Sequence, residues 1–138
     1  RMLENEEEPA WLAMVQQGAT TVWEHYNGYD ENGYPLDTSY NHYSPGSVCS
    51  FLFSHTAGIQ LTAERTFLFK PIPGGSLTTA KAVWESAYGT VKASWRRIGS
   101  KLIYAVKVPA NCSAKVVLPD GAAYNIDAGE YSFTAVVS

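Results

Sequence analysis

Residues 90–108, TVKASWRRIGSKLIYAVKV, alternate between apolar and polar side chains along two segments that meet at Gly99-Ser100. Successive side chains of a β-strand point to opposite faces, so a period of two is typical of a strand with one buried face. Gly99-Ser100 has the residue types of a tight turn. The stretch therefore predicts a hairpin with a mostly Lys, Thr, Ser and Arg outer face, and with an inner face that carries Val91, Ala93, Trp95, Leu102, Tyr104, Val106 and Val108.

The same pattern continues on both sides of this hairpin. Short alternating or β-branched segments are separated by Gly, Pro, Asn and Asp residues, which punctuate strands. Such a series predicts an antiparallel β-sandwich over residues 63–138. The expected strands are Thr66–Ile72, Leu77–Glu85, Thr90–Arg97, Lys101–Val108, Ser113–Leu118, Ala122–Ile126 and Tyr131–Val137.

The first 62 residues have a helical period instead. One helix is expected from Pro9 to Gly18, and a second from the capping residue Ser44 to about Gly58. The segment Asn27–Tyr40, rich in Gly, Asn, Asp and Tyr, is expected to be a long ordered loop. The buried stripe of the first helix is predicted to consist of Trp11, Leu12, Met14 and Val15. The fold class is thus mainly β with an α-helical amino-terminal part.

Composition narrows the classes of function. With 46% apolar residues and a net charge of −3, the chain has enough material for one core and no basic excess that would indicate nucleic-acid binding. Its apolar runs are far shorter than the roughly 20 residues of a membrane-spanning helix. The sequence predicts neither cofactor nor metal, and Cys49 and Cys112 are expected to be buried thiols. The acidic residues 4–8 are unlike a signal peptide, so we expect a fragment of a longer protein whose compartment stays open.

The segment 18–48 contains the residues best suited to carbohydrate chemistry. Glu24 lies between Trp23 and His25, and His42 lies between asparagine and tyrosine. Sugars present flat apolar faces to aromatic rings and hydroxyl groups to His, Asn and carboxylates, and pairs of carboxyl groups cleave glycosidic bonds. Glu24 is the one evident candidate for such a carboxylate here. Trp23 could equally be a pocket wall or a core residue.

Other chemically active residue types have simpler explanations. We expect His25 and His55 to be structural, and Trp84 and Trp95 to fill the core of the sandwich. The loop acids lack the ligand spacing of a calcium site and are expected to be solvated; they are Asp30, Glu31 and Asp37.

Three blocks resemble the carboxy-terminal end of the bacterial α-L-rhamnosidases of glycoside hydrolase family 78. They are GATTVWEHYNG at 18–28, SYNHYSPGSV at 39–48 and FLFKPIPGGSLTTAKAVWESAYGTVKASW at 67–95. The resemblance implies that residues 1–62 are the last helices and loop of an (α/α)6 catalytic barrel. Residues 63–138 would form the accessory β-sandwich.

The resemblance also implies an activity and roles for three residues. Members of the family remove terminal α-L-rhamnose with inversion, using a glutamic acid as proton donor and a glutamate as base. Glu24 matches the base, His42 matches a histidine that binds rhamnose hydroxyls, and Trp23 matches a wall of the sugar pocket. The donor would lie upstream, so the fragment alone is expected to be inactive. Its substrates would be rhamnose-containing glycosides.

The sequence leaves two other functions open for the sandwich, and the barrel interpretation has one physical consequence. The sandwich could be a non-catalytic carbohydrate-binding module, or a structural domain that only stabilises a barrel, because sandwiches serve many functions. If the helices are a barrel remnant, their apolar faces lack partners, and the fragment is expected to self-associate through this helical end. The side chains expected in that exposed patch are Trp11, Met14, Phe51 and Phe53.

Overall fold

The computed structural model describes residues 5–7 and 10–137. The chain divides into two compact units, Arg1–Cys49 and Ser50–Ser138. The first is mostly irregular backbone with two short helices. The second contains all the strands.

In the first unit, helix α1 spans Trp11–Gln16 and helix α2 spans Tyr43–Gly46. The predicted stripe of α1 is only partly right, because Met14 is buried but Val15 is 62% exposed. Trp11 is half-buried, with its ring edge-on to Tyr26 at 5.5 Å between centroids. The predicted start of this helix at Pro9 lies outside the described residues.

The predicted second helix is broken into three pieces. After α2, helix α3 spans Val48–Phe51, and a π-helical segment spans Leu52–Ala57. Cys49, expected to be buried, is exposed on α3, because this short helix buries none of its residues; Cys112 is buried as predicted. Over the part of the chain that is described, no helix is long and apolar enough to cross a bilayer.

The second unit contains eight strands rather than the predicted seven. The additional strand, β1, has a single buried side chain, Ile59, and so lacks the alternation that reveals a strand in sequence. The strands are β1 Ile59–Ala63, β2 Thr66–Phe69, β3 Thr79–Ser86, β4 Gly89–Ile98, β5 Lys101–Val108, β6 Ser113–Val117, β7 Ala123–Ile126 and β8 Gly129–Val136.

These strands form two four-stranded sheets, in the orders β1-β2-β6-β7 and β3-β4-β5-β8. The expected antiparallel pairing is found between all neighbours except β2 and β6, which are parallel. Parallel neighbours need a long crossover connection. Here the crossover between β2 and β6 consists of the antiparallel strands β3, β4 and β5 of the other sheet. The expectation of a purely antiparallel sandwich is wrong only at the β2–β6 pair.

The core lies between the two inner faces. The seven inward positions predicted from the hairpin at 90–108 are all buried. Phe67 and Phe69 of β2 are also fully buried, and Trp84 meets Phe67 edge-on at 6.0 Å. Trp95 therefore occupies the core as predicted, and Trp84 packs against it.

Two polar atoms of the core aromatics bond to the end of the π-helical segment. Trp95 Nε1 donates to the Thr56 carbonyl at 2.7 Å, and the Tyr104 hydroxyl donates to the Ala57 carbonyl at 3.0 Å. Burial raises the pKa of Tyr104, so its hydroxyl stays protonated and remains a donor. These bonds satisfy helix-end carbonyls that would otherwise lack partners.

Gly58 ends the π-helical segment in the left-handed region, at φ 84°. A Cβ here would lie 2.4 Å from the Pro71 nitrogen and 2.7 Å from the Lys70 carbonyl oxygen. Both contacts are with backbone, which cannot rotate away. The position therefore requires glycine for its conformation and for space.

We predict that Gly58→Ala lowers the free energy of unfolding by roughly 2–4 kcal/mol, because left-handed strain and backbone collision add. The matched control is Gly99→Ala, where φ is 58° but nothing lies within 4 Å of the added Cβ. This control should lose only about 1 kcal/mol. Urea unfolding followed by tryptophan fluorescence measures both. Equal losses would contradict the collision at Gly58.

Candidate functional site

Two segments of the first unit lie side by side and bring Glu24 close to His42. The Glu24 amide donates to the Ser39 carbonyl at 2.8 Å, and the His42 amide donates to the Val22 carbonyl at 2.7 Å. The backbone of 22–24 is thereby paired with that of 39–42. The sequence predicted both side chains as site residues, and the structure places them together.

The Glu24 carboxylate is held by the opposite segment. Its Oε2 accepts from the Ser39 amide at 3.2 Å and from Thr38 Oγ1 at 3.4 Å. Its Oε1 lies 4.0 Å from His42 Nε2, and the side chain is 42% exposed. One carboxylate oxygen is therefore fixed by backbone, while the other faces the histidine.

This environment favours the ionised carboxylate. The hydrogen bond from the Ser39 amide is the main reason that the pKa of Glu24 lies below its ordinary value of 4.5. Desolvation raises this pKa, and the smaller electrostatic contributions of His42 and His25 lower it. Because the pKa of Glu24 is lower in the folded state, these interactions stabilise the fold at any pH above the ordinary pKa. This stabilisation is lost as the pH falls through the lowered pKa of the folded state. At neutral pH Glu24 is a proton acceptor, the state that a general base needs.

The orientation of His42 follows from its capping role. His42 is the N-cap of α2, and its Nδ1 accepts from the Ser44 amide at 3.3 Å. An accepting Nδ1 carries no proton, so the proton of the neutral ring is on Nε2, facing Glu24. The 4.0 Å between Nε2 and Glu24 Oε1 is too long for a direct hydrogen bond. A hydroxyl group or a water beside both atoms could accept from Nε2 and donate to the carboxylate.

Aromatic packing differs between the two sides of this site. The ring of Tyr43, 89% exposed, stacks on the His42 ring with centroids 5.3 Å apart. Trp23 is only 4% exposed and meets Tyr29 and Tyr40 edge-on at 5.8 and 5.4 Å. Of the two interpretations left open for Trp23, the geometry favours a core residue of the loop.

Gly28 makes that packing possible. A Cβ at Gly28 would lie 2.4 Å from Cζ3 of Trp23, so only glycine lets the backbone approach the ring. The hydroxyl of Tyr40 donates to the Gly28 carbonyl. The loop that carries the site residues is thus organised around the tryptophan.

The remaining candidates have structural or solvent-facing positions. Asp30 Oδ1 accepts from the amides of Asn32 and Tyr34 at 2.9 and 2.8 Å, which closes a turn. Glu31 and Asp37 are exposed, and among the residues that the structure describes no group of three metal-ligating side chains occurs.

The predicted structural histidines differ from each other. His55 fits its expectation, because its Nδ1 lies 2.7 Å from Ser54 Oγ and its ring stacks on Phe51. His25 is exposed and contributes to the lowered pKa of Glu24. Sequence reasoning missed both partners of Glu24. The Ser39 donor is a backbone amide, which any residue can supply, and the Thr38 donor is a hydroxyl fourteen residues away along the chain.

An ionised, accessible carboxylate beside a histidine donor, in a chain that also contains a β-sandwich, is an arrangement suited to a carbohydrate-active protein. Comparison with known families makes the class definite. A model described as the bacterial alpha-L-rhamnosidase C-terminal domain matches residues 62–133. A second, the bacterial alpha-L-rhamnosidase 6 hairpin glycosidase domain, matches residues 1–56. The chain belongs to the bacterial α-L-rhamnosidase family, and the resemblance noted in the sequence is confirmed.

Individual relatives agree with this assignment. An alpha-L-rhamnosidase of Formosa agariphila is 32% identical over 97% of this chain and 15% of its own length. The structure of native α-L-rhamnosidase from Aspergillus terreus superposes with a TM-score of 0.91 at 31% identity, over 97% of this chain and 16% of that one. The Streptomyces avermitilis enzyme, solved with L-rhamnose, gives 0.88 at 27% identity over 97% of this chain and 15% of that one. The chain thus spans about 15% of the length of such relatives.

We predict that a carbon-detected NMR titration of Glu24 has its midpoint below 4.5, the ordinary value for a glutamate. His42→Gln should raise this midpoint, because the electrostatic attraction of His42 is one of the causes of the lowered Glu24 pKa. The midpoint should stay below the ordinary value, since the Ser39 amide still donates. His25→Gln should cause a smaller rise. A wild-type midpoint at or above 4.5 would contradict the site geometry.

Proposed function

We propose that this chain is part of a longer inverting glycoside hydrolase that removes terminal α-L-rhamnose, and that Glu24 is its general base. The observation that carries the proposal is the Glu24 carboxylate, kept ionised by the Ser39 amide and accessible beside His42. An inverting enzyme needs such a carboxylate to activate the attacking water. Oε1, the oxygen not held by backbone, is the atom assigned to this task.

The proton donor of the pair is assigned to residues outside this chain. Inverting enzymes keep their two carboxyl groups about 6.5–9.5 Å apart, which leaves room for the water and usually places them on distant segments. The best-ordered acid of the loop, Asp30, has one oxygen committed to two turn amides. The chain alone is therefore expected to be inactive.

His42 is assigned to substrate binding. Its Nε2 proton faces the gap beside Glu24 Oε1, so a sugar hydroxyl placed there would be oriented against the base. Trp23 was expected as a wall of the sugar pocket, and its 4% exposure leaves very little surface for such a contact. We assign Trp23 chiefly to support of the loop and only secondarily to substrate.

The chain contains parts of two domains in this proposal, and their boundary follows residue 62, whereas the two compact units meet at Cys49 and Ser50. Residues 1–62 are assigned to the carboxy-terminal helices and loop of an (α/α)6 catalytic barrel, and residues 63–138 to an accessory sandwich. The support is the pair of family models, which meet between residues 56 and 62. The short helices of the described chain would then be completed by barrel helices elsewhere.

The rival function, a carbohydrate-binding sandwich that uses its tryptophans, has little support. Trp95 is 1% exposed with its Nε1 bonded to backbone, and Trp84 packs against the core. Neither ring offers a face to a glycan.

We predict that Glu24→Gln, introduced into the whole protein, lowers kcat on an aryl α-L-rhamnoside by roughly 10²–10⁴-fold, because the amide cannot accept the proton of water. Substrate binding should be retained. The matched control is Glu31→Gln, an exposed loop acid of the same unit, which should leave kcat unchanged. NMR of the first sugar released should show the β-anomer. Full activity of the Glu24→Gln variant would show that Glu24 is not the general base.

We further predict that the isolated chain self-associates through its helical segments. Phe51 and Phe53 are 49% and 44% exposed there, whereas Met14, which was also expected in this patch, is buried. Light scattering should show a dimer for the wild type and a monomer for Phe51→Ser with Phe53→Ser. The control pair, Ile98→Ser with Val136→Ser, removes comparably exposed apolar side chains from the strands and should remain dimeric. A wild-type monomer at high concentration would contradict this proposal.

A further inference from the structure

Positive charge is concentrated on one face of the sheet β3-β4-β5-β8. The chain has a net charge of −3, yet five of its ten Lys and Arg residues occupy outward positions of this one sheet. We call this surface the basic face; its cations are Lys81, Lys92, Arg96, Lys101 and Lys107. Two acids share it, Glu85 and Glu130.

The positions of the lysines lower the stability of the sheet. Lys92 and Lys107 are directly opposite each other on β4 and β5, and like charges in that position are destabilising. Only Lys107 has a counter-ion, Glu130 at 3.1 Å, and within 10–137 no other lysine or arginine forms an ion pair. Because β4 and β5 are central strands, the usual protection of sheet edges by lysine does not explain the pattern.

Serine and exposed apolar side chains lie between these cations; the apolar ones are Val83, Ile98, Ile103 and Val136. The row next to the Lys92–Lys107 pair consists of Ser94, Ala105 and Ser132, which are register partners across three strands. Together with the two lysines and Glu130 they line a shallow trough of about 410 Å³. The trough runs across the strands, which are about 4.8 Å apart. A linear polymer can lie in it with cations on its rim and hydroxyl groups on its floor.

We propose that the basic face binds an anionic polysaccharide, a chain of sugars that carry carboxylates. The cations would attract the carboxylates, and the serine hydroxyls can bond to sugar hydroxyls. The inference does not depend on the activity proposed for Glu24, since it rests on the sandwich alone.

Nucleic acid is a poorer fit to the same surface. Single strands are bound by grooves whose aromatic rings stack on bases. All five aromatic residues of these strands occupy inward positions instead: Trp84, Trp95, Tyr104, Tyr131 and Phe133.

The test is calorimetric titration of the 138-residue chain with oligogalacturonate at two salt concentrations. The test variant is Lys81→Gln with Lys92→Gln, and the matched control is Lys70→Gln with Lys115→Gln, two exposed lysines outside this sheet. Loss of two exposed charge contacts should weaken binding about 5–10-fold and flatten its salt dependence, while the control binds like wild type. Circular dichroism verifies that both variants are folded.

A second measurement uses the wild-type chain, so that the proposal can be tested even if the Lys81→Gln, Lys92→Gln variant does not fold. In the wild-type chain, backbone NMR shifts on adding oligogalacturonate should change on β3, β4, β5 and β8, which carry the basic face and the trough, and not on β2 or β6. The proposal is overturned by absence of binding, by equal weakening in the control, or by shift changes elsewhere. Tighter binding of single-stranded DNA than of oligogalacturonate at the same salt would overturn it as well.

Discussion

The sandwich depends on two hydrogen bonds from buried aromatic side chains to the carbonyls of Thr56 and Ala57. Trp95 and Tyr104 are neighbours in register on β4 and β5, so one cross-strand pair of the core holds the end of the π-helical segment. Each bond contributes about 1 kcal/mol, and an unmet buried donor would cost more than that. With the helix end fixed, Gly58 turns the chain in its left-handed conformation and starts β1 beside β2. The parallel β2–β6 pair completes this sheet.

Among its described residues the first unit buries only four apolar side chains, and its loop is ordered by backbone pairing around one tryptophan. Glu24 and Ser39 exchange contacts in both directions, since the Glu24 amide donates to the Ser39 carbonyl and the Ser39 amide donates to the Glu24 carboxylate. The same pairing that fixes the loop therefore lowers the pKa of the carboxylate. Structure and proton affinity are coupled here through the backbone of one residue, Ser39, whose amide donor only a substitution by proline would remove.

Periodicity predicted most of the sandwich because burial repeats every second residue, and every inward position of 90–108 is buried. It failed at β1, where only Ile59 is buried, and at the parallel pairing, which no local pattern encodes. In the site, side-chain chemistry and the family resemblance identified Glu24 and His42. The partners Thr38 and Ser39 were not predictable, because the Thr38 hydroxyl and the Ser39 amide reach Glu24 only through the long-range pairing of the two segments. Cys49 was expected to be buried because its helix is apolar on nearly every side, but the short helix α3 buries none of its residues.

The exposure of Glu24 limits what this chain contributes to the proposed reaction. A carboxylate that is 42% exposed is surrounded by high-dielectric water, in which its charge interactions are weak. Backbone donation lowers its pKa, but it does not exclude solvent or hold a sugar against the transition state. Those effects need walls on the open side of Glu24 and His42, and Trp23 cannot supply one because its ring is already packed. In the proposed enzyme this chain therefore supplies an oriented base and a hydroxyl ligand, and the remaining protein must supply the proton donor and the enclosure that makes both effective.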